Sequence, residues 1–178
     1  MQEYGVLLDD DTVRFERLLP APIERVWAYI TEADKRARWL AGGDFQLDAD
    51  GNIELVFRNS ALSTEPDDPP PPQHADLPDV MRFGGRITEI DPPRLLAHTW
   101  EYDDECSEVR YELEPLGDET RLVLTHRLVG SREHVISACA GWHAHFHILI
   151  TVLAEETPPA FWKTHTPLEN AYRDRLSG

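Results

Sequence analysis

Cysteine is scarce in this chain of 178 residues: Cys106 and Cys139 are the two present. One falls near a strand start and the other on a helix, which offers no disulfide framework and suits reduced thiols. Basic residues are also few, with 17 Lys and Arg against 33 Asp and Glu and a formal net charge of -16. A surface this acidic repels phosphate backbones and anionic lipid, so neither nucleic acid nor a membrane surface is expected as a partner. No window reads as a transmembrane helix, and Gln2-Glu3-Tyr4 does not open a signal peptide; the sequence reading is of a cytoplasmic protein. Missing too are a Gly-x-Ser-x-Gly elbow, a Walker loop, a dinucleotide fingerprint and a Cys-His nucleophile pair. No catalytic residue is assigned and no cofactor is expected.

What is present suits one domain with a sizeable core: 41% of residues are hydrophobic. Thr12 to Leu19 alternates Val13 and Phe15 with Arg14 and Glu16, as a first strand should. Pro22 then opens a short helix over 23–31, where its missing N–H costs nothing, and a second short helix is expected over 33–39. Phe45 to Leu47 and Ile53 to Phe57 flank the turn signal Asp50-Gly51. Four further strands are expected over 82–91, 95–102, 108–114 and 120–126. Strand parity places Leu96, His98, Trp100 and Tyr102 on one face, and Val109, Tyr111 and Leu113 opposite Leu122, Leu124 and His126. Near the end, Val135, Cys139, Trp142, Phe146, Leu149 and Leu153 recur at steps of four and three, the stripe of a long amphipathic helix.

A sheet and a helix that must bury each other make an α+β domain. The expected architecture is a helix-grip fold. A curved antiparallel sheet wraps around the long C-terminal helix, with two short helices after the first strand. The domain is expected over 1–157. Its proline-rich acidic segment, 65–79, cannot join a sheet and reads as a solvated loop with polyproline character. Residues 158–178 follow Pro158-Pro159 and contain Pro167; they read as a surface tail, in which Phe161-Trp162 could pack back on the body.

The order and spacing of several segments is similar to the START-like (SRPBCC) superfamily of helix-grip domains, and within it to the family related to the activator of heat-shock-protein-90 ATPase. The segments are Arg17…Ala21-Pro22…Val26-Trp27, Trp39-Leu40, Pro93…Leu96…Thr99-Trp100 and Gly141-Trp142…Phe146…Leu149…Leu153. The resemblance runs from about Val13 to Leu153, most of the chain. The resemblance implies a hydrophobic space between sheet and helix. It also implies three kinds of role: binding a small, largely apolar or aromatic molecule, interacting with a protein partner or a second copy of the chain, or cyclase/aromatase-type catalysis. Under the last of these, His126, His98, Tyr111 and His143 would be the acid–base candidates.

The expected ligand-lining residues are Trp39, His98, Trp100, Tyr111, His126, Trp142, His143 and Phe146. Aromatic rings supply large apolar walls, and Trp, Tyr and His add polar edges. His143 and His147, four apart on the helix, share a face and could hold one metal ion. Two imidazoles without a third ligand make an open, weak site, so no metal is assigned. His126 and His98 also read as buried side chains bonded to backbone, the favoured reading for His126, and His143 and His147 as lying at the edge of the stripe, lining the polar part of a cavity or facing solvent.

Overall fold

The computed structural model describes residues 3–128 and 130–176. Gln2 and the last two residues of the expected tail lie outside them. Seven strands form one open antiparallel sheet: β1 (Val6–Leu7), β2 (Thr12–Leu19), β3 (Asn52–Phe57), β4 (Met81–Asp91), β5 (Leu95–Tyr102), β6 (Glu105–Leu116) and β7 (Glu119–Arg127), in the order β1-β2-β7-β6-β5-β4-β3. Two short helices, α1 (Ile23–Thr31) and α2 (Ala33–Arg36), follow β2; α3 (Arg132–Leu153) and α4 (Phe161–Leu176) close the chain. The α+β helix-grip architecture expected from the sequence is present.

Register confirms the strand parities. Leu96 pairs with Tyr111 and His98 with Val109, while Tyr111 pairs with Leu124 and Val109 with His126. All six are buried on the concave face. Phe45 to Leu47 does not form the expected strand. Phe45 makes one isolated bridge to Ile53, and the chain turns at Asp50, whose φ of 62° is left-handed. The second short helix stops at Arg36 because that side chain turns inward. Its guanidinium donates to the carbonyls of Ile30, Thr31, Ala41, Gly42 and Gly43 and stacks 3.6 Å from the Phe45 centroid. One buried cation thus ties together the ends of two helices and the loop toward β3. Desolvation lowers its pKa to about 10, which leaves it charged at neutral pH.

The stripe on α3 is buried as expected, but so are Ile136, Ala140, His143, Ala144, Ile148 and Val152 on its other sides. The reason is α4. The segment over 158–178 is not a surface tail: it carries a sixteen-residue helix with Pro167 inside it, and Phe161, His165, Glu169 and Tyr172 are buried. By length and composition α3 would pass as a membrane-spanning segment, contrary to the sequence reading. Here it is the core helix, with 67% of its most apolar window buried inside the domain.

The proline-rich loop is not simply solvated either. Asp67 accepts from the backbone N–H groups of Trp162 and Lys163, both at 3.0 Å, and so caps α4 from a distance. A carboxylate belongs there, because the first N–H groups of a helix lack partners and carry its positive end. Lys163 Nζ donates to Pro66 O at 2.6 Å, and Ser63 Oγ donates to Pro158 O at 2.6 Å. The loop is strapped across the last helix.

Candidate functional site

Where α3, α4, the strapped loop and the open end of the sheet meet, they form a half-open cavity of about 530 Å³. Its aromatic walls are Phe57, Phe83, Trp100, Trp142, Phe161 and Trp162. Each strand contributes through parity: β3, β4 and β5 present Phe57, Phe83 and Trp100 on the face toward the helices. Phe57 lies edge-on to Phe83 and stacks on Trp100 at 5.4 Å, and Trp100 stands edge-on to Trp142 at 5.9 Å. Gly141 and Ala138 on α3 have no bulk to fill the space, and a Cβ built on Gly141 would meet nothing within 4 Å.

Trp100, His126 and Trp142, three of the expected ligand-lining residues, lie on this wall. They are joined by a chain of hydrogen bonds whose direction follows from the chemistry of the donors. The indole N–H of Trp142 can only donate, so His126 Nδ1 accepts it at 2.9 Å and the imidazole proton sits on Nε2. Nε2 in turn donates to Ser107 Oγ at 2.9 Å, and Ser107 Oγ donates to the Trp100 carbonyl at 3.3 Å. Burial, with His98 and His134 nearby, pushes the His126 pKa down to about 3, so the ring is neutral.

The other expected residues are elsewhere. Trp39 and Phe146 are stacked at 6.3 Å inside the core, and Tyr111 packs edge-on against Trp142 at 6.1 Å. His98 is bonded through Nδ1 to the Thr99 carbonyl at 2.8 Å, and burial lowers its pKa to about 4. His143 is fully buried away from the cavity, under Tyr4 and against the Tyr172 hydroxyl at 3.0 Å. A helix buried on all sides draws these rings into the protein. Trp39, Tyr111, Phe146 and His98 therefore pack behind the wall, His143 lies apart from it, and none of the five lines the cavity.

Sequence reasoning missed the polar end of the cavity. His145, which the helical period turns away from His143, lines it while its Nδ1 donates to the Trp39 carbonyl at 2.7 Å. Burial lowers its pKa to about 4. More consequential are His74 from the proline-rich loop and His165 and Glu169 from α4. Glu169 Oε1 accepts from His74 Nε2 at 3.0 Å and its Oε2 from Gln73 Nε2 at 2.8 Å. Burial alone would raise the Glu169 pKa, but these two donors bring it below the ordinary carboxylate value. His165 is pushed down by burial against a smaller opposing pull from Glu169. The period of α4 could have shown that His165 and Glu169 share a face; nothing in the sequence brings His74 to them. Two buried polar atoms on cavity residues, Asn59 Oδ1 and His165 Nδ1, have no hydrogen-bond partner.

Residues 20–154 match the family described as activator of Hsp90 ATPase homolog 1-like protein. A protein of Bordetella parapertussis solved by solution NMR is 42% identical, with 97% of this chain and 90% of that one covered and a TM-score of 0.78. The crystal structure of CalU16 from Micromonospora echinospora superimposes with a TM-score of 0.67 at 21% identity, covering 94% of this chain and 88% of its own. DynU16, from the dynemicin biosynthetic locus, gives 0.65 at 19% identity, covering 84% of this chain and 49% of its own. No curated protein matches the chain.

Proposed function

Because the chain belongs to the activator of Hsp90 ATPase homologue 1-like family, we propose that it is a small-molecule-binding module, enclosing a largely apolar, aromatic ligand between the sheet, α3 and α4. The observation that carries this reading is a cavity of about 530 Å³ walled by aromatic rings, on whose residues Asn59 Oδ1 and His165 Nδ1 are buried without partners. Pockets for small ligands combine large apolar walls with a few placed polar groups. Unpaired buried polar atoms are rare in filled cores and are costly, so a ligand that bonded them would offset that cost. CalU16 and DynU16 share the fold at low identity and add no ligand to the argument.

Of the acid–base candidates for a cyclase-type role, His98, Tyr111 and His143 stand off the cavity, and His126, which lines it, has both nitrogens engaged. The test is binding of an apolar, environment-sensitive dye, followed by quenching of tryptophan emission, together with native mass spectrometry of freshly purified protein. One dye per chain is expected. Trp100→Phe keeps most of the volume and removes part of the wall, worth roughly 1 kcal/mol at ~25 cal/mol/Å², or about fivefold in affinity. No dye binding to the parent would reject the reading and move a protein-interaction role to first place.

A further inference from the structure

We propose that His74, His165 and Glu169 form a binding site for one divalent transition metal of the zinc class, with an open coordination position facing the cavity. Each offers a ligand atom, and these atoms all lie within 4.8 Å of one another. Two imidazoles and a carboxylate are a donor set that zinc uses with a fourth position left open. Because all three residues line the cavity, that fourth position opens on it.

Three features distinguish this cluster from an ordinary buried ion pair. The first is burial: His165 is 3% exposed and Glu169 2%, so their polar atoms have no recourse to bulk water. The second is Nδ1 of His165, one of three buried side-chain atoms without a hydrogen-bond partner among the described residues, with Asn59 Oδ1 and, outside the cavity, His143 Nε2. A histidine present only for packing costs free energy when one nitrogen is left without a partner, and a cation would remove that cost. The third is how the rings are held. His74 stacks on Trp162 at 5.6 Å and meets His165 edge-on at 5.4 Å. Gln73 holds Glu169 Oε2, the kind of outer contact that orients a metal-bound carboxylate.

With metal–ligand distances of about 2.0–2.1 Å, tetrahedral ligands sit roughly 3.4 Å apart, so the cluster must contract. The ion would replace the hydrogen bond between His74 Nε2 and Glu169 Oε1, and the largely exposed loop that carries His74 is the part able to move inward.

The His143/His147 pair on α3 does not compete. His143 is fully buried and already bonded through Nδ1 to Tyr172. The proposal uses metal alone as the probe and is independent of whether the cavity takes an organic ligand.

The experiment is titration of the chelator-stripped, dialysed full chain with Zn²⁺ by calorimetry and with Co²⁺ by visible absorption. One equivalent should bind, with the intense d–d bands of a low-coordinate Co²⁺ site and a rise in Tm that follows metal concentration. His74→Ala, on the loop and outside the core, should keep the parent's far-UV spectrum and lower affinity by at least roughly 10- to 100-fold, the loss that even outer-shell partners cause. Glu169→Gln should do the same, and His147→Gln should change nothing. The proposal is overturned if the parent binds no stoichiometric metal, or if His74→Ala binds it as tightly as the parent.

Discussion

The indole N–H of Trp142 donates to His126 Nδ1 at 2.9 Å, across the space between α3 and β7. This bond fixes the tautomer of a buried imidazole and the plane of a cavity-wall tryptophan together. It does so on the sheet side of the cavity, so the wall is pre-organised by groups that are themselves fully satisfied. The polar residues at the α4 end are the ones with bonding capacity to spare.

Trp142→Phe keeps an aromatic ring but leaves His126 Nδ1 buried without a donor. Unfolding in urea should show a loss of ~1–3 kcal/mol with an unchanged m-value. In a double-mutant cycle with His126→Leu, the two changes should couple by about 1 kcal/mol. Strict additivity would show that the bond contributes nothing.

Stability should fall steeply on mild acidification. His98 and His145 have folded pKa values near 4, and His126 and His143 near 3, against an ordinary value of 6.5. Between those limits the unfolded chain binds protons that the folded chain excludes, so the free energy of unfolding decreases as pH falls below 6.5. From pH 7.5 to 5.5 each such group costs on the order of 1 kcal/mol, and the four together roughly 4–6 kcal/mol. The depressed carboxylates Glu16 and Glu169 act only at lower pH, where they begin to protonate. Denaturant midpoints at the two pH values check this, and equal midpoints would contradict it.

Gly141 occupies the middle of α3 beside the cavity with open space where a Cβ would stand. Gly141→Ala should therefore stabilise the protein by roughly 0.5–1 kcal/mol, the helix-interior difference between the two residues. Gly141→Leu projects into the cavity; it should abolish dye binding while leaving the far-UV spectrum intact. A destabilised Gly141→Ala would mean that the space is not open.

Truncation after Thr157 removes α4 and with it Phe161, Trp162, His165 and Glu169 from the cavity wall. The uncovered face of α3 carries Ile136, Ala140 and His143, all buried in the intact protein. The truncated chain should bind apolar dye without saturating at one equivalent, and should lose its cooperative thermal transition. A cooperative transition at the parent's Tm would restore the reading of this segment as a tail.

The sequence by itself determined what short periods encode. Alternation in β2 and in the β5–β7 strands placed Phe15, Leu96, Tyr111 and Leu124 on the inner face. The four-and-three steps of α3 aligned Val135, Trp142, Phe146 and Leu153. These signals are local, because a residue's face follows from its neighbours' positions along the same element. Helix α4 was less legible: its mean hydropathy is low, and Pro167 reads as a terminator although one kink-tolerant position inside a packed helix can hold it. Only the tertiary structure decided which aromatic and histidine side chains line a space and which are filler. Trp100 and Trp39 look alike in sequence, but one meets the cavity and the other stacks on Phe146. Likewise, His74 reaches Glu169 across 95 positions of sequence. No local periodicity records that distance; it is set by how the proline-rich loop is strapped onto α4, through the partnerless N–H groups that Asp67 caps.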